Sequence, residues 1–428
     1  MYEELIEQLN AKNREERLDA IRKLTDLVKE GKIAKPVREQ DVNNHIHTTY
    51  SFSPYSPTKA VWMGYMAGLR TIGIMDHDSD GGAEEFINAA EIVGIAATCG
   101  VETRVKMNHT ALNGKLINNP DQKSIAYVAM HGIPHTQFGK VRAFFAPYTA
   151  KRCERDLKMT ERLNEILNPY GIRLDFEKDV RPLSMNYDSG SVTERHLLYA
   201  VALKMMEKFG KGEALVSFLE NDIRIPLSEK VRTYLLDTQN PYYAYDLLGA
   251  LKSNMVAQFY INAEEECPDV TDFIQLAKEV HAVSAYAYLG DVTNSVTGDK
   301  KAQKFEDDYL DLLFDTLRTL GFNAVTYMPS RNTLEQLRRV RSLCDKYGFF
   351  QISGEDINSP RQKFICMAQR DKEFSNLYDA AWALIGHEIA ATEDLKDSMF
   401  SEETIAEIPS LSKRIERYKN IALSHYEK

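Results

Sequence analysis

The chain has 428 residues, of which 43% are hydrophobic and 27% charged, and its formal net charge is -10 at pH 7. This composition is ordinary for a globular protein large enough for more than one domain, and the acidic excess argues against binding to a nucleic acid polymer. Five widely spaced cysteines, no Cys-x-x-Cys pair, no secretion signal and no bilayer-length apolar run favour a cytoplasmic protein without a membrane partner.

Residues 1–40 are predicted to form a helical N-terminal extension. Apolar residues recur at three-residue steps between Leu18 and Leu27, with charged residues between them, as on one face of a helix. Gly31 and Pro36 end the segment in the way that helix stops do. We expect this extension to serve in packing or in a homo-oligomer rather than in chemistry.

Residues 41–150 are predicted to form the first part of a barrel in which strands alternate with helices. Three short apolar strands are each followed by side chains that can bind a metal. The carboxyl ends of parallel strands collect on one rim of such a barrel, where active-site groups gather. The side chains at these three strand ends are His45 with His47, Asp76 with His77, and Glu102.

The first of these pairs is a candidate metal-binding motif. Side chains two residues apart in a strand point the same way, so His45 and His47 project from one face. Imidazole and carboxylate together suit a divalent cation such as Mn, Fe or Zn. A lone His-x-His is more often a surface coincidence, but the matching strand ends at His77 and Glu102 favour a metal site.

A fourth strand is predicted over residues 124–130 and runs into His131 and His135. Both histidines follow a strand in the same way as the earlier candidates, so one interpretation makes them metal ligands. The other interpretation is that they form hydrogen bonds with carbonyl groups of the loop. The sequence leaves both open.

Residues 151–270 lose the strand pattern and are predicted to form a mainly helical insertion over the barrel mouth. Thr193-Glu194-Arg195-His196 begins one of its helices. The exposed N–H groups and the dipole at a helix N-terminus favour an anion. Arg195 or His196 could therefore hold a phosphate, and a solvated or capping role is the alternative.

The strand and helix alternation resumes over residues 271–370, the second part of the barrel, and residues 371–428 are predicted to form a C-terminal helical segment. Lys300, Lys301 and Arg331 stand at the predicted rim, where cations can bind a substrate phosphate through charge-assisted hydrogen bonds. A lysine pair is also typical of a solvated loop.

These motifs resemble those of the polymerase and histidinol phosphatase (PHP) superfamily. The resemblance covers residues 41–135 and 270–366 and is closest to the nucleoside-phosphate-cleaving branch, which has a Val-Thr-Arg-x-His-like segment where this chain has Val192-Thr193-Glu194-Arg195-His196. It implies an α/β fold, namely a distorted (β/α)7 TIM-like barrel with a helical insertion and helical extensions. Members of this superfamily hydrolyse phosphoesters with up to three divalent metals. The matching motifs are His45-x-His47, Asp76-His77-Asp78, Gly100-Val101-Glu102 and Gly354-Glu355-Asp356.

Carried over residue by residue, the resemblance implies a complete first metal site. Its ligands would be His45, His47, Glu102 and Asp356, and Glu102 would bridge to a second metal. The third site keeps His77. The resemblance therefore implies at least one divalent metal ion at the rim.

The remaining ligand positions depart from the family pattern. Tyr127 and Tyr286 stand where the second metal would take histidines, and Phe52 and Asn358 stand in the third site. A phenyl ring cannot ligate a metal, and tyrosine or an amide is a poor replacement for imidazole. We therefore predict one metal, or two if His131 or His135 substitutes.

The sequence thus predicts a metal-dependent phosphoesterase that acts on a small phosphorylated molecule, a nucleotide or sugar phosphate, with a metal-activated water. Two alternatives stay open: a degenerate barrel that binds metal or nucleotide without turnover, and a hydrolase of a non-phosphate substrate. Asp76 would orient a ligand histidine. The predicted catalytic residues are His77, Asp76 and Glu102, the predicted metal ligands are His45, His47, Glu102, Asp356, His77 and His131, and the predicted substrate-binding residues are Arg195, His196, Arg331 and Lys300.

Overall fold

A single seven-stranded sheet organises the computed structural model, which describes residues 2–292 and 303–426. The strands lie side by side in chain order, so each neighbour in sequence is also a neighbour in space. They are β1 (Val42–Ile46), β2 (Thr71–His77), β3 (Ala96–Lys106), β4 (Ile125–His131), β5 (Val283–Ala287), β6 (Ala324–Thr326) and β7 (Phe350–Ile352).

Helices surround this sheet, and none in the described ranges is long and apolar enough to cross a membrane. Many have the predicted boundary residues: the Ser56 side chain caps α3 and Gly68 ends it in the left-handed conformation. The α-helices are α1 (Tyr2–Gln8), α2 (Arg14–Lys29), α3 (Pro57–Ala67), α4 (Ala83–Val93), α5 (Phe138–Leu167), α6 (Glu194–Phe209), α7 (Glu213–Ser217), α8 (Glu229–Leu236), α9 (Tyr243–Phe259), α10 (Val270–Glu279), α11 (Leu310–Leu320), α12 (Leu334–Tyr347), α13 (Asn376–Glu393), α14 (Glu402–Glu407) and α15 (Leu411–Tyr426).

The sheet is mixed, so the prediction of an all-parallel barrel was wrong at β4. Strands β1 to β3 are parallel and so are β5 to β7, but β4 runs antiparallel to both of its neighbours. A polar loop, rather than a crossover helix, joins β3 to β4, and a chain without a crossover returns antiparallel. β3 also continues to Lys106, so Glu102 lies within the strand and not at its end.

The sheet curls into an open half-barrel whose two edges approach each other beside β1. The His47 N–H donates to the Ile357 carbonyl at 2.9 Å, and the Ile357 N–H donates to the His45 carbonyl at 3.1 Å. The Asn44 side-chain amide donates to the Ser353 carbonyl at 2.8 Å. The segment that follows β7 is thereby fixed against β1, which contains His45 and is followed directly by His47.

Helix α13 packs on the same face of the sheet as Glu102. In the strand register, Glu102 is paired with Ala129 and Ala129 with Ala285, and Ala285 shares an apolar cluster with Leu384 of α13. A helix that is buried on all sides belongs to a core, and twelve of the residues of α13 are buried. The C-terminal segment therefore contributes to the core of the sheet.

The insertion has an apolar core of its own, formed by residues of α5 to α9 together with Phe52. The boundary predicted at residue 150 falls inside α5, which runs unbroken from Phe138 to Leu167. Buried ion pairs hold this helix to the sheet: Arg155 pairs with Glu266, which also pairs with Arg104 of β3. Arg152 of α5 pairs with Asp78 at 2.8 Å.

Candidate metal centre

Three potential ligands from β1 and β3 converge. The Nε2 atoms of His45 and His47 are 3.3 Å apart, and the Glu102 Oε2 atom lies 3.6 Å from the first and 3.7 Å from the second. All three residues are buried, and their potential ligand atoms lie within 4.8 Å of one another. These nitrogen and oxygen lone pairs face each other and would repel unless a proton or a cation lies between them, so the donor set fits a divalent cation.

The orientation of His47 is set by Ser51 and Asp76. The Ser51 hydroxyl donates to Asp76 Oδ1 at 2.6 Å, and the same hydroxyl oxygen lies 3.2 Å from His47 Nδ1. Because the Ser51 proton is committed to the carboxylate, its oxygen accepts from the His47 Nδ1–H group. This tautomer leaves the Nε2 lone pair directed toward His45 and Glu102, as a metal ligand requires.

Strand register explains why the side chains of Asp76 and His77 lie on opposite faces of β2 and have different roles. His77 is in register with Glu102, whereas Asp76 is in register with Val101 and so faces the other side of β2. Asp76 is fully buried and also accepts from the N–H of Thr48 at 2.7 Å. It therefore lies behind the site and positions His47.

His77 faces the site beside Glu102. Its Nδ1 atom lies 3.2 Å from Glu102 Oε2, and its ring centroid is 4.6 Å from that of His47. Burial is the main cause that holds the pKa of His77 well below its usual value, and repulsion from a protonated His47 would act in the same direction. Burial also opposes ionisation of His45, but Glu102 outweighs it and raises the pKa of that imidazole.

Asp356 reaches the site from the loop after β7, on the side of His47. Its Oδ1 atom is 3.2 Å from His47 Nε2 and accepts a hydrogen bond from Asn358 Nδ2 at 2.6 Å. Burial alone would raise its pKa, but the contacts with His47 and the charge of His45 prevail and hold it well below its usual range. Asp356 is thus an anionic neighbour of the three converging ligands.

The other two candidate histidines are placed differently because β4 is antiparallel. His131 is paired with Gly100, two residues along β3 from Glu102, and it lies outside the converging group. Burial lowers the pKa of His131 to about 3. The Nε2 atom of His135 lies 2.8 Å from Glu388 Oε1 on α13, so His135 ties β4 to the C-terminal segment and not to the metal centre.

The residues that depart from the PHP ligand pattern have identifiable structural contacts. Tyr286 is in register with Val128, on the face opposite Glu102, and its hydroxyl donates to Glu306 at 3.3 Å. Phe52 packs edge-on against His196 in the core of the insertion, with ring centroids 5.0 Å apart. The ring centroid of Tyr127 is 6.0 Å from that of His77, which places Tyr127 beside the site.

Two of the predicted substrate-binding cations lie near Asp356. Arg195, in the first turn of α6, donates to Asn358 Oδ1 at 2.5 Å, and the Arg331 Nε–H group donates to the Leu289 carbonyl at 3.0 Å. Burial lowers the pKa of Arg331, and Asp356 acts in the opposite direction. Lys300 and Lys301 fall outside the described residues.

His196 has the capping role that the sequence left open. Its Nδ1 atom accepts from the N–H of Thr193 at 3.0 Å, which closes a capping box at the start of α6. The ring is buried against Phe52, and burial lowers the pKa of His196 to about 3. A neutral, buried imidazole of this kind is a weak phosphate ligand.

Sequence reasoning missed Ser51 and Lys252. Ser51 lies four residues after His47 in a loop rich in hydroxyl groups, so only the Asp76 pairing distinguishes it. Lys252 lies within α9, and the charge of Arg195 is the main cause of its lowered pKa. No local pattern marks either residue, because each owes its position to contacts far along the chain.

Comparison with known proteins gives a likeness of fold. No family model and no curated protein matches the chain. A solved structure of a proposed metal-dependent phosphoesterase from Bifidobacterium adolescentis is 16% identical over 76% of this chain and 92% of that chain, with a TM-score of 0.50. An amidohydrolase from Chromobacterium violaceum, solved with bound sulfate and no metal, is 14% identical over 76% and 89%, with a TM-score of 0.47.

Proposed function

We propose that this chain is a metal-dependent phosphoesterase of the PHP type that hydrolyses a small phosphorylated molecule. The observation that carries the proposal is the convergence of His45, His47 and Glu102, with potential ligand atoms within 4.8 Å of one another. The order and spacing of the PHP-like motifs support it, and so does the fold shared with the Bifidobacterium protein, which is itself proposed to be a phosphoesterase.

In this proposal the two histidines and Glu102 hold one divalent cation, with Asp356 beside His47 as a fourth, anionic group. When bound, such a cation lowers the pKa of a water molecule and offsets negative charge on phosphoryl oxygens. Ser51 and Asp76 keep the His47 ring in the ligating tautomer. His77, with Nδ1 at 3.2 Å, holds the Glu102 carboxylate in place.

Arg195 and Arg331 would bind the phosphate of the substrate. Both guanidinium groups are close enough to Asp356 for their charges to interact. A guanidinium group presents a planar fork of donors that matches phosphate oxygens. A phosphate between these arginines and the metal centre would have its negative charge balanced on both sides, which favours a phosphoester over a neutral substrate.

The test is metal content measured beside turnover. We expect purified protein to contain about one equivalent of Mn, Fe or Zn and to hydrolyse one member of a panel of nucleotides and sugar phosphates. His45→Ala should lose the metal and reduce turnover at least about a thousandfold, since a metal contributes several kcal/mol to such a reaction, while circular dichroism shows that the variant stays folded.

His109→Ala, in an exposed loop, is the matched control and should keep both metal and turnover. Turnover retained in metal-free His45→Ala would contradict the proposal. A folded wild-type protein that binds metal and turns over none of the panel would favour a barrel that binds without catalysis. Turnover of only an amide or a carboxylic ester would favour a hydrolase of a non-phosphate substrate.

A further inference from the structure

Two cations of the insertion, Arg195 and Lys252, lie near the metal centre without an acidic partner. In the described part of the chain, the recorded side-chain bond of Arg195 is to the neutral amide of Asn358. Lys252 has an exposed side chain and no recorded hydrogen bond or ion pair within the same ranges. Glu194, the acidic residue next to Arg195, already pairs with Arg155 at 2.5 Å and with Arg104 at 3.3 Å.

The packing of two helices brings these cations together. Tyr199 of α6 and Tyr245 of α9 are in contact, with ring centroids 5.0 Å apart. Arg195 lies one turn before Tyr199, and Lys252 lies two turns after Tyr245. The charge of the Arg195 guanidinium is the main cause that lowers the pKa of Lys252. Arg155 also joins Glu194 at the start of α6 to the Ile261 carbonyl just after α9, so the two helices run antiparallel and both cations lie on the same side of the Tyr199–Tyr245 contact.

The acidic groups that face Lys252 do not neutralise this pair. They are Asp121 in the loop between β3 and β4, Asp356 and Glu194, and within the described ranges none is recorded at ion-pair distance from Lys252. The Asp356 Oδ1 atom already accepts a hydrogen bond from Asn358 Nδ2 at 2.6 Å. Two neighbouring like charges repel each other, and an anion that contacts both relieves the repulsion.

A short chain of contacts connects the cation pair to the metal centre. Arg195 Nη1 donates to Asn358 Oδ1 at 2.5 Å, Asn358 Nδ2 donates to Asp356 Oδ1 at 2.6 Å, and that oxygen lies 3.2 Å from His47 Nε2. The Asn358 carbonyl is thus occupied by the guanidinium. Asn358 acts as a positioning residue that fixes Arg195 relative to Asp356, at a position where the PHP pattern has a histidine ligand.

We propose that Lys252 and Arg195 together bind an anionic group of the substrate, which makes Lys252 a specificity-determining residue of the site. The proposal deepens the proposed function and rests on it. The substrate class is a small molecule whose phosphate reaches from the metal centre to the α6 and α9 side of the mouth. Charge-assisted hydrogen bonds from both cations give the site its preference for phosphate over a neutral group.

The test uses inorganic phosphate as the probe and calorimetry of the 428-residue chain after removal of metal with a chelator. We expect Lys252→Gln to weaken phosphate binding about tenfold, the value of one charge-assisted hydrogen bond, and Lys252→Arg to restore most of it. Lys230→Gln removes the same charge from an exposed position in α8 and should bind as the wild type does.

Unchanged binding in Lys252→Gln, an equal loss in Lys230→Gln, or no binding by the wild type would each overturn the proposal. An unfolding transition recorded for every variant shows whether the fold is retained, and Lys252→Arg provides a second variant if Lys252→Gln is unstable. Because the protein is metal-free, the result does not depend on turnover. Failure of the proposed function would instead appear as a metal-loaded protein that hydrolyses no phosphoester.

Discussion

At the residue scale, the candidate site depends on the orientation of one imidazole. His47 lies between His45, Glu102 and Asp356, and only the tautomer with the proton on Nδ1 leaves Nε2 free to ligate. The Ser51 hydroxyl selects that tautomer because its own proton is held by Asp76. A contact behind the ligand thus determines whether the ligand can function.

Ser51→Ala should therefore weaken metal binding without removing a ligand. We expect a loss of affinity of about tenfold to a hundredfold, the usual effect of removing a group that orients a metal ligand. Asp76 keeps its bonds to Thr48, so the fold should be retained. The measurement is a Mn titration of chelator-treated protein.

Ser53→Ala is the matched control, since Ser53 is a buried serine of the same loop whose recorded bond is to the N–H of Tyr55. It should bind Mn as the wild type does. Equal Mn affinity in Ser51→Ala and the wild type would mean that Ser51 does not orient His47.

Local patterns brought some of the predicted site residues together, and strand direction explains where the structure places His131. The rule that ligands follow parallel strands brought His45, His47 and Glu102 together in one prediction, and the structure places them together. The same rule selected His131, which the antiparallel β4 pairs with Gly100, two residues along β3 from Glu102 and outside the converging group. Direction in a sheet depends on how the chain returns, which strand residues alone do not encode.

At the element scale, α13 is the helix whose role the sequence did not reveal. The apolar run of α13 predicts a helix, but not what it packs against. In the same way, the glycines that follow α3, α11 and α12 predict only where those helices end. No local signal shows that α13 packs on the sheet, because its cluster partners are residues up to about a hundred positions away. Its packing on α15 depends on Gly386, where a Cβ atom would overlap the Tyr418 carbonyl.

Gly386→Ala should therefore destabilise the protein although alanine favours helices. We expect the free energy of unfolding to fall by about 1–3 kcal/mol, as in other overpacked cores, because the obstructing atom belongs to the backbone and cannot rotate away. The measurement is urea unfolding monitored by circular dichroism.

Gly249→Ala is the control, since Gly249 also lies inside a helix, α9, and a Cβ atom there would have no neighbour within 4 Å. It should raise the free energy of unfolding by up to about 1 kcal/mol, the helix preference of alanine over glycine. A higher free energy of unfolding in both variants than in the wild type would contradict the close contact between α13 and α15.

At the scale of the whole molecule, the curled sheet and the insertion act together to form the site. The sheet supplies His45, His47 and Glu102, and the contacts of Ile357 with β1 place Asp356 beside them. The insertion, which is held to β3 because Glu266 pairs with both Arg155 of α5 and Arg104 of β3, places Arg195 near Asp356. The alternation of strands and helices predicted the α/β architecture, but the open, mixed sheet follows from long-range pairing.

The most direct test is the position of a bound ion in crystals grown with Mn²⁺. An anomalous difference map should show one strong peak within about 2–2.5 Å of the Nε2 atoms of His45 and His47 and of a Glu102 oxygen, as in mixed histidine and carboxylate sites. A map with no peak there, or with a peak that contacts none of these three side chains, would contradict the metal centre and the function built on it.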